Sequence, residues 1–301
     1  MRSHMQTDGT IVVQQSRFAD YITLTKPELT LLSVLTALGG YFLGADGNMS
    51  LSTIVHTLVG TMLVGGGAGA LNQYIERDYD ALMRRTEHRP LPAGRLVPSE
   101  VLLFGTLLSL VGVVELFAFV NLLTGLLALA TLVSYLFLYT PLKRVTPFST
   151  VIGGVPGALP PMIGWAAARN AIGIEAWILF GILFCWQMPH FFSLAWMYRR
   201  DYERAGYPML TVLDQDGNRT SLHILLYCNG LIPISLMLST SAGLGLVYAI
   251  GAVIVGGTYL YYGILLRKSK SNADARKLFF VSLLYLPALL VLMVLDKFGM
   301  P

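Results

Sequence analysis

Three side chains with oxygen ligands recur at intervals of four residues in the segment NQYIERDYD, residues 72–80. Asn72, Glu76 and Asp80 stand at i, i+4 and i+8. On an α-helix each step of four residues turns about 400°, so the three side chains share one face. Amide and carboxylate oxygens suit Mg²⁺, which keeps several waters and is commonly completed by substrate phosphate. The spacing predicts a metal-binding row, called the metal row below, with Asp80 also a catalytic candidate.

The same acids would also suit a solvated helix end, where charged residues four apart form ion pairs with neighbours such as Arg84. Asn72 argues against this alternative, because it lies inside an apolar stretch where a polar side chain without a partner costs free energy. We therefore favour the metal row.

Basic residues follow the metal row and would balance the charge of a phosphate. Arg85 and Arg89 are four apart, and guanidinium groups clamp phosphate oxygens in a bidentate fork. The segment YTPLKR adds Lys143 and Arg144 on the same side of the membrane. The alternative for these two residues is that they serve only to set the membrane topology. In a metal-bridged diphosphate, acidic side chains hold the metal, and the metal and the arginines hold the phosphates. The helix that carries the metal row is expected to continue until Pro90 stops it.

A second acidic segment reads WQMPHFFSLAWMYRRDYERAGYPML, residues 186–210. On one continuous helix, Gln187, His190 and Asp201 would fall on a single stripe. A histidine inside a membrane is a functional-site hypothesis by default, and a histidine hydrogen-bonded within the bundle is its alternative. Asp201 and Arg204 repeat the pairing of acid with arginine found after the metal row.

Long apolar runs must position these residues. The chain has 301 residues, of which 54% are hydrophobic and 13% charged, whereas soluble domains carry about a quarter charged residues. Runs of about 20 apolar residues indicate membrane-spanning helices, and the short alternation of a transmembrane β-barrel is not seen. We predict an all-α polytopic membrane protein with nine transmembrane helices, near 28–45, 52–75, 99–119, 122–141, 148–168, 174–197, 221–240, 243–266 and 278–295.

The distribution of basic residues predicts the topology. Of the 21 lysines and arginines, all but Arg169 and Lys297 fall in the N-terminal arm or in the even-numbered connections. The positive-inside rule then places the N-terminus in the cytoplasm and the C-terminus outside. The net charge of +4 needs no nucleic acid, because basic residues beside an anionic lipid leaflet explain it.

The chain divides simply. Residues 1–5, MRSHM, are typical of an expression-vector scar, residues 6–26 form a cytoplasmic arm, and residues 27–301 form one transmembrane domain. His56 and Glu115 are lone polar residues within spans and are expected to be packing or cavity residues and not catalysts. The glycine-rich stretches GGGAGA and GGVPGALPP indicate helices that approach each other closely or line a cavity.

Nine spans with these two long motifs resemble the UbiA-type intramembrane prenyltransferases, and within them the branch that modifies heme. The resemblance covers nearly the whole chain from about Phe18. It implies a UbiA-type bundle and assigns roles by position: metal ligands Asn72, Glu76 and Asp80; diphosphate contacts Arg85, Arg89, Tyr139, Lys143, Arg144 and Arg204; heme-binding candidates His190 and Gln187; catalytic residues Asp80, Asp201 and His190.

Two positions depart from the wider family pattern. Many relatives have Asp where this chain has Glu76, which keeps the carboxylate but lengthens its reach. Relatives that act on aromatic rings carry spaced aspartates in the second motif, whereas this chain has His190 and then Asp201 with Arg204. The departure supports the heme branch and argues against two symmetric metal clusters.

The resemblance also implies the chemistry. Farnesyl diphosphate, bound through Mg²⁺, would give its farnesyl group to a vinyl group of protoheme IX (heme B), with addition of water, yielding heme O and pyrophosphate. Heme B is then a substrate and not a cofactor. The alternatives are another acceptor, such as a quinone precursor or a lipid, and a secondary transporter. We expect a multi-pass protein of the bacterial plasma (inner) membrane, an active site near the cytoplasmic face, and a heme A synthase or terminal oxidase assembly as protein partners.

Overall fold

The computed structural model describes residues 16–45, 47 and 49–299, and every regular element within these ranges is helical. The predicted vector scar and most of the N-terminal arm lie outside the described residues. A six-residue π-helical segment, Ser134–Tyr139, joins the fifth and sixth α-helices. The α-helices are α1 Arg17–Leu24, α2 Pro27–Gly44, α3 Leu51–Asp80, α4 Pro98–Phe119, α5 Leu122–Val133, α6 Thr140–Leu142, α7 Ser149–Ala158, α8 Pro160–Arg169, α9 Ile174–Met197, α10 Arg199–Arg204, α11 Leu210–Leu213, α12 Asn218–Ser241, α13 Leu246–Ser269 and α14 Asn272–Gly299.

Nine segments of the described chain are long and apolar enough to cross a membrane, which confirms the predicted number of spans. Helix α3 has 30 residues and is therefore about 45 Å long, more than the ~30 Å hydrocarbon core of a bilayer requires. Its last turns therefore extend beyond the apolar layer, as the placement of the metal row requires.

Glycines let α3 and α4 pack backbone against backbone. A Cβ atom added to Gly67 would lie 2.7 Å from the backbone nitrogen of Ser109, and one added to Gly112 would lie 2.7 Å from that of Val64. Both distances are shorter than van der Waals contact allows. The expectation that GGGAGA marks a close helix approach is confirmed, and the approach sets the position of the α3 end that carries the metal row.

The π-helical segment widens the fourth span before its polar end. The N–H of Thr140 donates to the carbonyl oxygen of Tyr135, a bond across five residues, and such bulges occur frequently at functional sites. The rings of Tyr135 and Tyr139 lie 5.5 Å apart. The sequence prediction contained the span but not this distortion.

One end of the bundle carries a polar cap, made of α1, the connection 81–97 and the connection 198–217. Helix α1 is held there by Asp20, whose carboxylate accepts hydrogen bonds from Arg95 Nε at 2.9 and 3.1 Å. The two connections share a small apolar core that includes Met83, Tyr202 and Tyr207. This core gives the cap a packed interior and fixes the polar side chains around it.

The opposite end of the bundle holds the two exceptional basic residues. Lys297 Nζ donates to the carbonyl oxygens of Phe42 and Leu43, at the end of α2. Arg169 ends α8, which packs along α2. The basic residues of the connections 81–97 and 198–217 lie at the other end of the bundle, in the polar cap.

Two polar residues near this opposite end correct an expectation. His56 and Glu115 were expected to be lone polar residues, but His56 Nδ1 lies 2.7 Å from Glu115 Oε1. The ring of His56 also stacks on Phe119 at 4.8 Å. Each polar group satisfies the other because the packing of α3 on α4 brings together residues that are distant in sequence.

Candidate active site

The metal row occupies the last turns of α3, as predicted. Asn72 and Glu76 are each 2% exposed and Asp80 is 1% exposed. Asp78 belongs to the same segment but lies on the other face, with its side chain 79% exposed beside Arg77. A solvated helix end would expose all these acids. The burial of Glu76 and Asp80 therefore argues against a solvated helix end and keeps both as candidate site residues, whereas Asp78 lies outside the candidate site.

Two members of the row contact basic side chains. Lys143 Nζ donates to both carboxylate oxygens of Glu76, at 3.0 and 3.2 Å. Arg89 Nη1 donates to Asp80 Oδ2 at 2.7 Å. Burial disfavours the charged Lys143 and is the largest single effect, but the carboxylate of Glu76 and the neighbouring tyrosines together outweigh it and hold the pKa of Lys143 well above its usual value. Acids and bases thus meet in pairs within one buried cluster.

Asn72 contacts a third basic residue, which the sequence prediction counted only as a topology determinant. Lys26 Nζ donates to Asn72 Oδ1 at 2.6 Å and lies 3.4 Å from the hydroxyl of Tyr135. The amide nitrogen of Asn72 donates to Thr140 Oγ1 at 3.2 Å, which turns the amide oxygen towards Lys26. The only signal for this role in the sequence was the position of Lys26, directly before Pro27, where the first span begins.

The surroundings of Lys26 disfavour its positive charge. Burial of the ammonium group, and then the positive charge of nearby Arg89, lower the pKa of Lys26 to about 7. Its backbone is left-handed, with φ +48°, an uncommon conformation for a residue with a side chain. A bound anion beside Lys26 would relieve the electrostatic cost.

The residues of the row fit Mg²⁺. Asp80 Oδ1 is buried and has no hydrogen-bond partner among the described residues, so one hard carboxylate oxygen is available. Within the described ranges no three His, Cys, Asp or Glu side chains cluster as a ready metal site. The two carboxylates of Glu76 and Asp80 suit Mg²⁺, which often takes one or two carboxylates from the protein and the rest of its ligands from water and phosphate.

Arg85 links the two connections of the polar cap. Its backbone N–H donates to Asp201 Oδ2 at 3.3 Å, and its Nη2 donates to the Tyr202 hydroxyl at 3.4 Å. Its guanidinium carbon lies 5.2 Å from the centroid of the Tyr198 ring. Asp201 also contacts Arg204 at 3.6 Å. The second acidic segment therefore meets the first through arginines.

Arg144 and Tyr207 complete the cluster. Arg144 Nη2 donates to the carbonyl oxygen of Ile75 at 2.8 Å, and its guanidinium lies 4.1 Å from the Tyr79 ring centroid. The Nε atom of Arg144 is buried without a hydrogen-bond partner in the part of the chain that the structure describes. The Tyr207 hydroxyl approaches Glu76 Oε1 at 3.5 Å, a contact that sequence spacing did not reveal.

Two predicted helix extensions are wrong. Helix α3 ends at Asp80, so Arg85 and Arg89 lie in turns and not on a helix that reaches Pro90. Helix α9 ends at Met197, and the non-helical backbone of Tyr198, with φ −103° and ψ 22°, separates it from α10. The predicted stripe that joins Gln187 and His190 to Asp201 therefore does not form. In both cases contacts within the polar cap override helical continuation.

Gln187 and His190 contact different helices. Gln187 Nε2 donates to the carbonyl oxygen of Gly154 in α7 at 2.6 Å. His190 Nδ1 lies 2.7 Å from Ser282 Oγ in α14, and its ring stacks on Phe279 at 4.7 Å. Neither side chain hydrogen-bonds to the metal row within the described chain.

Tyr139 lies nearer the cluster than either of these residues. Its ring fills the space beside Gly153, where an added Cβ would lie 2.6 Å from the ring carbons. Tyr139 is one turn before Lys143, whose backbone N–H donates to the Tyr139 carbonyl at 3.0 Å. The segment YTPLKR is therefore positioned as one unit against α3.

Sequence comparisons agree with this geometry. Residues 33–284 match the model of the UbiA prenyltransferase family. The chain is 46% identical over 290 residues to the protoheme IX farnesyltransferase of Solibacter usitatus, covering 93% of this chain and 99% of that protein. It is 43% identical over 279 residues to the protein of the same name from Salinibacter ruber, with the same coverage of both chains.

Solved structures share the fold at low sequence identity. A structure of digeranylgeranylglyceryl phosphate synthase superposes with a TM-score of 0.76 at 15% identity, covering 94% of this chain and 99% of that one. A UbiA homologue from Archaeoglobus fulgidus bound to GPP and Mg²⁺ gives 0.63 at 15% identity, covering 91% and 99%. The family match over most of the chain, the identity to full-length relatives and the shared fold lead to one conclusion. This chain belongs to the UbiA prenyltransferase family.

Proposed function

We propose that this enzyme transfers the farnesyl group of farnesyl diphosphate to a vinyl group of protoheme IX, with addition of water, giving heme O and pyrophosphate. The names of relatives at 43–46% identity supply the substrates. The structural observation that supports the donor is the buried cluster of two carboxylates and several basic side chains at the end of α3. Such a cluster suits a metal–diphosphate group.

The basic side chains act on the leaving group. We propose that Arg85, Arg89, Lys143 and Arg144, with Tyr139 and Arg204, hold the diphosphate while the metal row holds Mg²⁺. When bound, Mg²⁺ would supply Lewis-acid neutralisation of the developing pyrophosphate charge. Cations held around the bound diphosphate stabilise that charge, so the allylic C–O bond breaks and its electron pair leaves with pyrophosphate.

The acceptor completes the reaction. The π electrons of the vinyl group form the new carbon–carbon bond to C1 of the farnesyl group, which leaves a cation next to the porphyrin. Water adds its oxygen to this cation and loses a proton. The apolar bundle limits the access of water to the farnesyl cation before the new bond forms. Asp80 and Asp201 are the proposed catalytic carboxylates.

His190 and Gln187 are the proposed heme contacts. Ser282 Oγ donates its single proton to the carbonyl oxygen of Phe279 at 2.5 Å, so the bond between Ser282 and His190 takes its proton from His190 Nδ1. In the neutral ring, Nε2 then keeps a lone pair, which is suited to heme iron or to a hydrogen-bond donor. His190→Gln should weaken heme retention on the purified protein while pyrophosphate binding stays unchanged.

We place the polar cap in the cytoplasm of a bacterial cell, with the protein in the inner membrane. The concentration of basic residues at this end supports that orientation. Farnesyl diphosphate, an anionic substrate, would then reach the site from the cytoplasm. A heme A synthase or a terminal oxidase assembly would receive the product.

Mass analysis of hemes extracted from membranes tests the proposal. Cells that lack heme O should form it when this protein is expressed, and should not do so with Asp80→Ala or Arg89→Ala, both measured at equal membrane insertion. A prenylated quinone precursor or lipid in place of heme O would assign another acceptor. Transport without release of pyrophosphate would refute the transferase.

A further inference from the structure

The lone pairs that would bind Mg²⁺ already accept hydrogen bonds from cations. The three contacts are short, between 2.6 and 3.0 Å, and join Asn72 to Lys26, Glu76 to Lys143, and Asp80 to Arg89. Of the two Asp80 oxygens, Oδ1 has no partner among the described residues. A divalent cation approaching the metal row must therefore compete with three protein cations for nearly every ligand oxygen.

The charges reinforce this competition. The two carboxylates of the row are already paired with the ammonium group of Lys143 and the guanidinium group of Arg89, so the row has no net negative charge to offer a metal, and the protonated form of Lys26 makes the cluster positive. A divalent cation alone raises this positive charge further, and like charges within a buried cluster repel strongly. A diphosphate reverses the balance, because its oxygens offer the three cations alternative acceptors.

Lys26 is placed to make this exchange. It comes from the turn before α2, 46 residues away from Asn72 in sequence, and its Nζ also lies near the Tyr135 hydroxyl. Its left-handed backbone, at φ +48°, is a conformation retained at some energetic cost. Because the ammonium group contacts an amide and not a carboxylate, no ion pair has to be broken when Lys26 moves to an anion.

We propose that Lys26 is a further diphosphate-binding residue, and that Lys26, Lys143 and Arg89 compete with Mg²⁺ for the metal row until a diphosphate accepts them. Metal and diphosphate then bind together, and neither binds well alone. This inference rests on the proposed function only in requiring a diphosphate substrate. It is independent of the heme acceptor.

Two binding measurements on the purified full-length protein test the coupling. Mn²⁺ alone, used in place of Mg²⁺ and followed by the electron paramagnetic resonance signal of the free ion, should bind weakly. Radiolabelled pyrophosphate, measured by equilibrium dialysis, should bind about 5–150-fold more tightly when Mg²⁺ is present, the usual range of coupling between two sites. Tight binding of Mn²⁺ without any anion would overturn the proposal.

Lys26→Met provides the sharper test, because the two affinities should change in opposite directions. Mn²⁺ alone should bind more tightly, since one competitor and one positive charge are removed. Pyrophosphate with Mg²⁺ should bind at least about tenfold more weakly, the loss expected for one charged hydrogen bond. A purely topological Lys26 would leave both affinities unchanged, and a purely structural one would weaken both. Either of these results would refute the proposal.

Lys270→Met is a matched control. Lys270 is also left-handed, at φ +52°, and its Nζ also donates to an asparagine oxygen at 2.6 Å, that of Asn218, but this contact is exposed and does not involve the metal row. Both affinities should remain at their original values. If Lys26→Met does not fold, Lys26→Gln carries the same opposite-sign expectation, and weakening of both affinities in a folded Lys26→Gln refutes the inference.

These results are separable from a failure of the proposed acceptor. A protein that shows the coupling but forms no heme O would retain this inference and lose the heme assignment. A protein that forms heme O but binds Mn²⁺ tightly on its own would retain the function and lose the inference.

Discussion

Variants of the buried ion pair between Glu76 and Lys143 can separate its contribution to the stability of the protein from its role in the reaction. The carboxylate is 3% exposed and the ammonium-bearing side chain 10% exposed, at a distance of 3.0 Å. Among the described residues, Lys143→Met would leave the buried carboxylate with one remaining hydrogen bond, the weak one from the Tyr207 hydroxyl at 3.5 Å. Removing one partner of a buried pair costs about 3–5 kcal/mol, whereas replacing both by neutral groups of similar size is close to neutral.

We therefore expect Lys143→Met and Glu76→Gln each to lower the free energy of unfolding by about 3 kcal/mol or more. The double variant should recover most of that loss, giving a coupling energy of at least about 2 kcal/mol in a double-mutant cycle. Unfolding in mixed micelles of SDS and a mild detergent, followed by tryptophan fluorescence, measures all four proteins. The control is the pair of Asp274 and Lys277, in which the lysine is exposed and the aspartate partly exposed, with an expected coupling below about 1 kcal/mol.

The double variant should nevertheless form no heme O, because both a row carboxylate and a diphosphate cation are missing. Each lost electrostatic contact in a transition state commonly lowers the rate by about 10²–10³-fold. Additive effects of the two single variants on stability would refute the buried pair. Recovered heme O together with recovered stability would refute the assignment of Glu76 and Lys143 to the active site.

Three further predictions concern the framework. Arg95→Ala should lower the free energy of unfolding by about 2 kcal/mol, because it leaves the buried carboxylate of Asp20 without its charged donor. The variant should also be digested faster by proteases at the polar cap, and unchanged proteolysis would contradict this prediction. Glu115→Gln, at the opposite end of the bundle, should change stability by less than about 1 kcal/mol and leave heme O formation intact, whereas loss of product would make it part of the site. Gly67→Val should cost about 1–3 kcal/mol by overpacking α3 against α4, while Gly257→Val, with open space around it, should be nearly neutral; equal effects would contradict the close approach.

Local periodicity accounts for the successful sequence predictions. The metal row is readable because residues four apart in a helix share a face whatever surrounds the helix. The nine spans are readable because a bilayer requires long apolar helices. The same reasoning was wrong where the chain leaves the apolar layer, after Asp80 and after Met197, because tertiary contacts and not periodicity decide where those helices end.

The amino-acid sequence by itself determined the helices, the row of oxygen ligands and the end of the bundle at which basic residues gather, because each depends on composition or on neighbours within one turn. Only the tertiary structure decided which cation meets which acid. Lys143 contacts Glu76 across 67 residues and Lys26 contacts Asn72 across 46. Such pairings depend on helix packing, on the π-helical turn before Lys143 and on the docking of α1, none of which leaves a periodic pattern in the chain. Lys26 could therefore be counted from the sequence as a topology determinant, whereas its contact with the metal row forms only when α2, α3 and the fourth span pack together.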